Sequence, residues 1–136
     1  MAFQGKHSEI TDKIIKAFFT VYNQLGHGFN EKVYENALVI ELKHLGLDVT
    51  QQSQINVFYA GRVIGEYIAD MIVNDVVILE LKAVRQISEE HQAQLLNYLK
   101  ATPIEVGLLM NFGPKPHYVR LVFDNERKGS LSWNKP

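Results

Sequence analysis

A chain of 136 residues without a single cysteine can hold no disulfide, no thiolate metal site and no cysteine nucleophile, and it suits a reducing compartment. Nor does one sign of charge dominate. Fourteen Lys and Arg against 15 Asp and Glu leave a formal charge of −1, so any nucleic-acid surface must be a local patch. Long apolar runs are missing too: none approaches the roughly 18 residues that a membrane helix needs. The opening "MAFQGKHSEI" lacks the apolar core of a secretory signal. We therefore expect a cytoplasmic protein with no membrane partner. No internal repeat, low-complexity tract or linker interrupts the chain, and 46% hydrophobic with 21% charged residues is ordinary globular composition. This predicts one domain over residues 1–136, with its core in about 8–123 and a polar tail at 124–136.

What is present is a change of period along the chain. "HSEITDKIIKAFFTVYNQLG" places Ile10, Ile14, Phe18, Val21, Tyr22 and Leu25 at helical spacing, with Ser8 as N-cap and Gly26 as stop. A second helix runs from about Asn30 to Leu45, with Val33, Ala37, Leu38, Leu42 and Leu45 inward and Gly46 ending it. Between them "GHGF" makes a tight corner. After Gly46 the pattern becomes extended: "LDVTQQ", "QINVFYAG" and "RVIGEYIADMIVN", with turns at Ala60-Gly61 and Asn74-Asp75, then "VVILELKAV". Ser88 caps a third helix, "SEEHQAQLLNYLKA", that turns Leu95, Leu96 and Leu99 inward. "IEVGLLMNF" and "YVRLVF" close the pattern as strands. Two helices, three or four strands, a helix and two strands amount to an α/β domain with a mixed sheet.

Two charges break the most hydrophobic strand. Glu80 and Lys82 stand two apart in "VVILELKAV" and so point to the same face. On the preceding strand Asp70 sits among Ile68, Met71 and Ile72. A two-residue turn would send Asp70 and Glu80 to opposite faces, whereas a three-residue loop or a bulge sets them opposite one another, with Cβ atoms about 5 Å apart. We predict the second register. Two carboxylates and one ammonium on a half-buried face leave a negative charge whose desolvation costs several kcal/mol, in order of magnitude. A divalent cation resolves that, and hard oxygen ligands without thiolates point to Mg²⁺ or Mn²⁺, completed by water and the Leu81 carbonyl. The rival is a Glu80–Lys82 ion pair at a sheet edge with Asp70 as a surface acid.

Asp70 followed by "ELK" at Glu80–Lys82 resembles the motif of the PD-(D/E)XK nuclease superfamily, with Ala69 in place of the motif's proline. "GFNEKVY", carrying Gly28, Glu31 and Tyr34, together with "NYLKA" and "GLLMNFG", resembles the group named for its GxxExxY signature, over about Ile10 to Phe123. The resemblance implies a restriction-endonuclease-like fold, a central mixed sheet flanked by helices. It implies that Glu31 approaches the metal directly or through water, although an acid in a helix's first turn already suits the helix dipole. Gln94 and Tyr98, four apart on one helix face, are similar to the Q-x-x-x-Y element of the exonuclease branch, in which the glutamine lies near the metal-bound phosphate. Tyr34 is open between core packing and a substrate contact, and Lys100, Arg85 and Arg120 are candidate cations for the nucleic-acid backbone.

These readings converge on a metal-dependent nuclease acting on phosphodiester bonds, with DNA ahead of RNA as substrate. Asp70 and Glu80 would hold the metal and Lys82 would position the attacking water or steady the charge on phosphorus. The resemblance implies a 5′-phosphate product. The alternative is a non-catalytic nucleic-acid-binding or protein-binding module on the same fold, against which stands the full set of expected catalytic residue types. A short chain with little room for a separate DNA-reading domain leaves open a homo-oligomer or a subunit of a larger assembly.

Overall fold

Ile14, Phe18 and Val21 lie buried along one face of α1, Ser8–Leu25, in a computed structural model that describes residues 5–131, 133 and 135. Part of the "MAFQGKHSEI" opening and part of the terminal stretch therefore lie outside the described residues. α1 ends as expected at Gly26, but it starts differently. His7, at φ 52°, is the N-cap and makes no side-chain cap bond; Ser8 is already helical, and its carbonyl accepts from the Thr11 hydroxyl at 3.2 Å. The left-handed turn at His7 brings the Ser8 N–H to the Gly5 carbonyl, so that donor needs no side-chain cap.

α2, Glu31–His44, begins at Asn30, whose side chain accepts from the Val33 N–H. Its inward stripe is Tyr34, Leu38 and Leu42, joined by Val39. Val33, expected inward, is 37% exposed, because it lies about 100° around the helix from that stripe.

The sheet has five strands in the order β1 (Val49–Tyr59), β2 (Arg62–Val73), β3 (Val77–Lys82), β4 (Val106–Asn111) and β5 (His117–Val122). Only β3 and β4 are parallel, and α3, Glu89–Lys100, is the crossover that parallel pairing requires. Residues of α1 and α2 pack with Val77, Leu79 and Leu81 on one face, while Leu95, Tyr98 and Leu99 of α3 pack with Ile78 and Leu109 on the other. The two runs "LDVTQQ" and "QINVFYAG" are one strand, β1, irregular at Gln52, left-handed at φ 52°, and at a register shift between Val57 and Phe58.

The β2–β3 hairpin has the expected register. Met71 pairs with Leu79 and Val73 with Val77, around a three-residue loop in which Asn74 and Asp75 are left-handed. The same register sets Asp70 against Glu80. β2 also changes face at this point. Met71 and Val73 belong to the α1/α2 core, whereas Ala69, with the same parity, and Ile72, with the opposite, belong to the α3 side. Strict alternation cannot produce this, so the pleat is broken at Asp70. Across the β1–β2 ladder, Gln51 pairs with Met71 and Ser53 with Ala69, leaving left-handed Gln52 facing Asp70.

Described residues of the polar stretch 124–136 are held against the rest of the domain. A 3₁₀ turn, Asn125–Arg127, leads to Lys128, which is 2% exposed and donates to the carbonyls of Thr102 and Ile104. Trp133 packs against the α3 side, and its indole N–H donates to the Lys100 carbonyl.

Candidate active site

The ladder between β2 and β3 stops at Met71 and Leu79, and carboxylates take over the backbone groups beyond it. The Asp70 N–H donates to Glu80 Oε1 at 2.9 Å, and the Leu81 N–H donates to Asp70 Oδ2 at 2.7 Å. Each acid is thereby fixed by one oxygen. Asp70 Oδ1 and Glu80 Oε2 accept no hydrogen bond among the described residues. Two hard oxygens on adjacent, anchored carboxylates are what a Mg²⁺ or Mn²⁺ ion would use.

Both acids are held above the ordinary carboxylate range. Glu80 is 4% exposed, and burial, together with the Asp70 charge, pushes its pKa up to about 8. Asp70 is raised as well, chiefly by burial, with the Leu81 N–H opposing. Lys82, half-buried on the same face of β3, lowers both acids but forms no ion pair among the described residues. The rival arrangement, a Glu80–Lys82 ion pair at a sheet edge, is therefore not formed. The donor set fits a divalent cation held by Asp70 and Glu80. No group of three His, Cys, Asp or Glu gathers closely enough among the described residues to hold an ion unaided, so water would complete its coordination.

Glu31 stands at the first position of α2, exposed, and adds its negative charge to both carboxylates as the weakest of the influences on them. A direct third carboxylate ligand is thus not assembled, because the helix start that suits Glu31 electrostatically also turns it to solvent. The acid that sequence reasoning missed is Glu35, one turn further on. It is 4% exposed, accepts from Gln51 Nε2 at 2.7 Å, Gln52 Nε2 at 3.0 Å and Lys32 Nζ at 3.0 Å, and raises the Asp70 pKa more strongly than Glu31 does. Its spacing of four from Glu31 was the only signal available.

Of the two places open to Tyr34 in the sequence, core packing and a substrate contact, the structure shows it in the core. It has no exposed surface, its hydroxyl donates to the Gly26 carbonyl at 2.6 Å, and its ring stacks on Phe112 at 4.5 Å. Tyr34 instead anchors the α1–α2 corner, its hydroxyl also accepting from the Phe29 N–H at 3.3 Å, and within that corner Gly28 adopts φ 119°, a conformation that favours glycine.

Tyr98 is nearly buried, its ring tilted against Tyr67 at 5.3 Å. Burial, then the charges of Glu80 and Asp70, push its pKa up to about 12, so it stays a neutral hydroxyl beside the acids, without a hydrogen-bond partner among the described residues. Gln94, one turn earlier, is exposed. Lys100 is exposed at the end of α3, beside Tyr67 and Trp133. Arg120 is bound to the Lys6 carbonyl.

A family model described as the PD-(D/E)XK nuclease superfamily matches residues 8–121. The crystal structure of SSO0001 is similar at a TM-score of 0.54 and 20% identity, over 75% of this chain and 55% of that one. The chain thus spans about half the length of that structure. An alkaline exonuclease (LHK-Exo) from Laribacter hongkongensis gives a TM-score of 0.45 at 11% identity, over 94% of this chain and 76% of that one. No curated protein matches.

Proposed function

Because the chain belongs to the PD-(D/E)XK nuclease superfamily, we propose that it is a metal-dependent nuclease that hydrolyses phosphodiester bonds of nucleic acid, with DNA as its preferred substrate. The observation that carries this reading is the meeting of Asp70 and Glu80 across the broken ladder, each tied to a backbone N–H and each with an oxygen to spare.

Asp70 and Glu80 would hold a divalent ion, Mg²⁺ or Mn²⁺, with the Leu81 carbonyl and a water-bridged Glu31 as further partners. Such an ion, when bound, acidifies a water and offsets charge on the phosphate. The remaining work falls to this chain's own groups. Lys82, unpaired and beside the two acids, offers up to three N–H donors. It orients the attacking water and stabilises the extra negative charge as the water oxygen bonds to phosphorus and the bridging P–O bond breaks. Tyr98 stays protonated and donates to an anion at the same spot, and Gln94 reaches the phosphate from the exposed face of α3.

The test is incubation of purified protein with labelled single- and double-stranded DNA and RNA in Mg²⁺, Mn²⁺ or EDTA. Cleavage that needs the metal and disappears in Asp70→Asn and Glu80→Gln is the expected result. Binding without cleavage under every condition would leave the non-catalytic module as the better reading.

A further inference from the structure

Past Lys82 the chain enters the β3–α3 loop, and Arg85 opens from it into a cleft of about 430 Å³. The opposite wall is the β4–β5 loop, with Lys115 and His117. No acid lines this cleft, and Arg85 and Lys115 are exposed with no hydrogen bond or ion pair among the described residues. That sets them apart from Lys6, Lys32, Arg120 and Lys128, all of which are engaged by carboxylates or carbonyls.

The walls are fixed in advance. Asn111, 1% exposed, accepts from the Val84 N–H at 3.0 Å and the Gly113 N–H at 3.1 Å, and returns a bond to the Val84 carbonyl at 2.9 Å. The Tyr22 hydroxyl reaches the carbonyls of Gly113 and Pro114 at 2.9 and 3.0 Å, tying the second loop to α1.

The cleft also adjoins the acid site. Lys82 pairs with Asn111 across the β3–β4 ladder, an interstrand step of about 5 Å, and Arg85 is three residues beyond Lys82, within about 10 Å along the chain. A second hollow shares Arg85 with this cleft and Ala83 with a third, which Glu31 lines. A groove therefore runs from Glu31 to Lys115.

We infer that the cleft is a phosphate subsite. Arg85 and Lys115 hold a phosphate of the substrate strand a short way from the scissile bond, and His117 lends a ring nitrogen. The inference rests on the nuclease reading. Arg85's planar fork matches two phosphate oxygens and Lys115 supplies a point charge, the combination suited to a polyanion approaching an acidic centre that would otherwise repel it. The bound group is either a terminal phosphomonoester or an internal phosphodiester.

Fluorescence anisotropy separates these. Short single-stranded DNA oligonucleotides with a 5′-phosphate, a 3′-phosphate or neither are titrated in EDTA against wild type, the double variant Arg85→Ala/Lys115→Ala, and Lys115→Glu. Cleavage is followed in parallel with Mg²⁺ or Mn²⁺. Both side chains are exposed and unbonded, so the variants should fold, and circular dichroism checks that they do. The double variant is expected to raise Kd about tenfold to a hundredfold and to reduce the salt slope by about 1–2. Loss confined to one phosphorylated end assigns the terminal group; equal loss for all three assigns an internal phosphate. Unchanged Kd and salt slope in the double variant overturns the subsite, as does wild type that binds no oligonucleotide. Weakened binding in the variant alongside a wild type that cleaves nothing keeps the subsite and removes the nuclease reading. Cleavage by wild type with unaltered binding by the variant does the reverse.

Discussion

Glu80 keeps its proton at neutral pH in the absence of a cation, since burial and the neighbouring Asp70 charge hold its pKa at about 8. A divalent ion bound by Asp70 and Glu80 must displace that proton. Binding of Mg²⁺ or Mn²⁺ near pH 7 is therefore expected to release about one proton, falling toward zero above pH 9. Calorimetry in two buffers of different ionisation enthalpy measures the count. Glu80→Gln should abolish it, and an identical count in that variant would remove Glu80 from the ligand set. Lys82 has a separable role. Lys82→Ala should lower kcat by about a hundredfold to a thousandfold while leaving metal binding in place, by analogy with removal of one charge-stabilising donor. Equal cleavage by the variant and the wild type takes Lys82 out of the mechanism.

At the scale of elements, the acid hairpin is built by two neighbours that sequence patterns reveal unequally. The β2–β3 register was legible from the charges and not from the turn: a two-residue Asn74-Asp75 turn would have sent Asp70 and Glu80 to opposite faces, whereas the register that brings the two acids together groups the charges of an otherwise apolar strand. The broken pleat at Asp70 was not. It depends on Gln52 turning left-handed on β1, and on Glu35 of α2 taking hydrogen bonds from both Gln51 and Gln52, a contact that exists only once helix and sheet are packed. In the sequence Glu35 looks like an acid on a solvated helix face, just as Lys128 looks like part of a polar tail until Thr102 and Ile104 offer it their carbonyls. Glu35→Ala removes the buried acceptor that holds those two exposed amides and should cost about 1 kcal/mol in denaturant unfolding. It should also reduce cleavage, by loosening the backbone that aims Asp70. A variant with full stability and full activity would deny Glu35 this role. The loops beyond Lys82 make a harder demand: a Cβ at Gly113 would sit 1.8 Å from the Val84 carbonyl oxygen, so Gly113→Ala must push the two loops apart. Its expected signature is lost stability together with weaker oligonucleotide binding.

Over the whole molecule, these buried charges set how stability responds to pH and to metal. Glu80 titrates near 4.5 when unfolded and near 8 when folded. Between those values the unfolded chain has already lost a proton that the folded chain keeps, so this group makes stability fall as pH rises through the window and leaves it flat above about 8. Lys128 acts in the opposite sense at higher pH. Its folded pKa, lowered by burial to about 8 from 10.5, lets stability recover as pH climbs between those two values. The metal-free protein should therefore melt highest in mildly acidic solution, decline toward pH 8 by an amount on the order of a few kcal/mol, and turn upward beyond it. A divalent ion held by Asp70 and Glu80 should reverse the decline, because it would bind the folded, ionised pair and not the unfolded chain. Melting temperatures taken from pH 5 to 10, with EDTA or with Mg²⁺, check this. The shift produced by Mg²⁺ should be small at pH 5 and largest near pH 8, where each kcal/mol is worth about 3–5 °C in a domain of this size. Glu80→Gln should flatten the metal-free profile between pH 5 and 8 and lose the Mg²⁺ shift. A wild-type profile that does not change with Mg²⁺ at any pH would mean that Asp70 and Glu80 answer their missing charge in some other way.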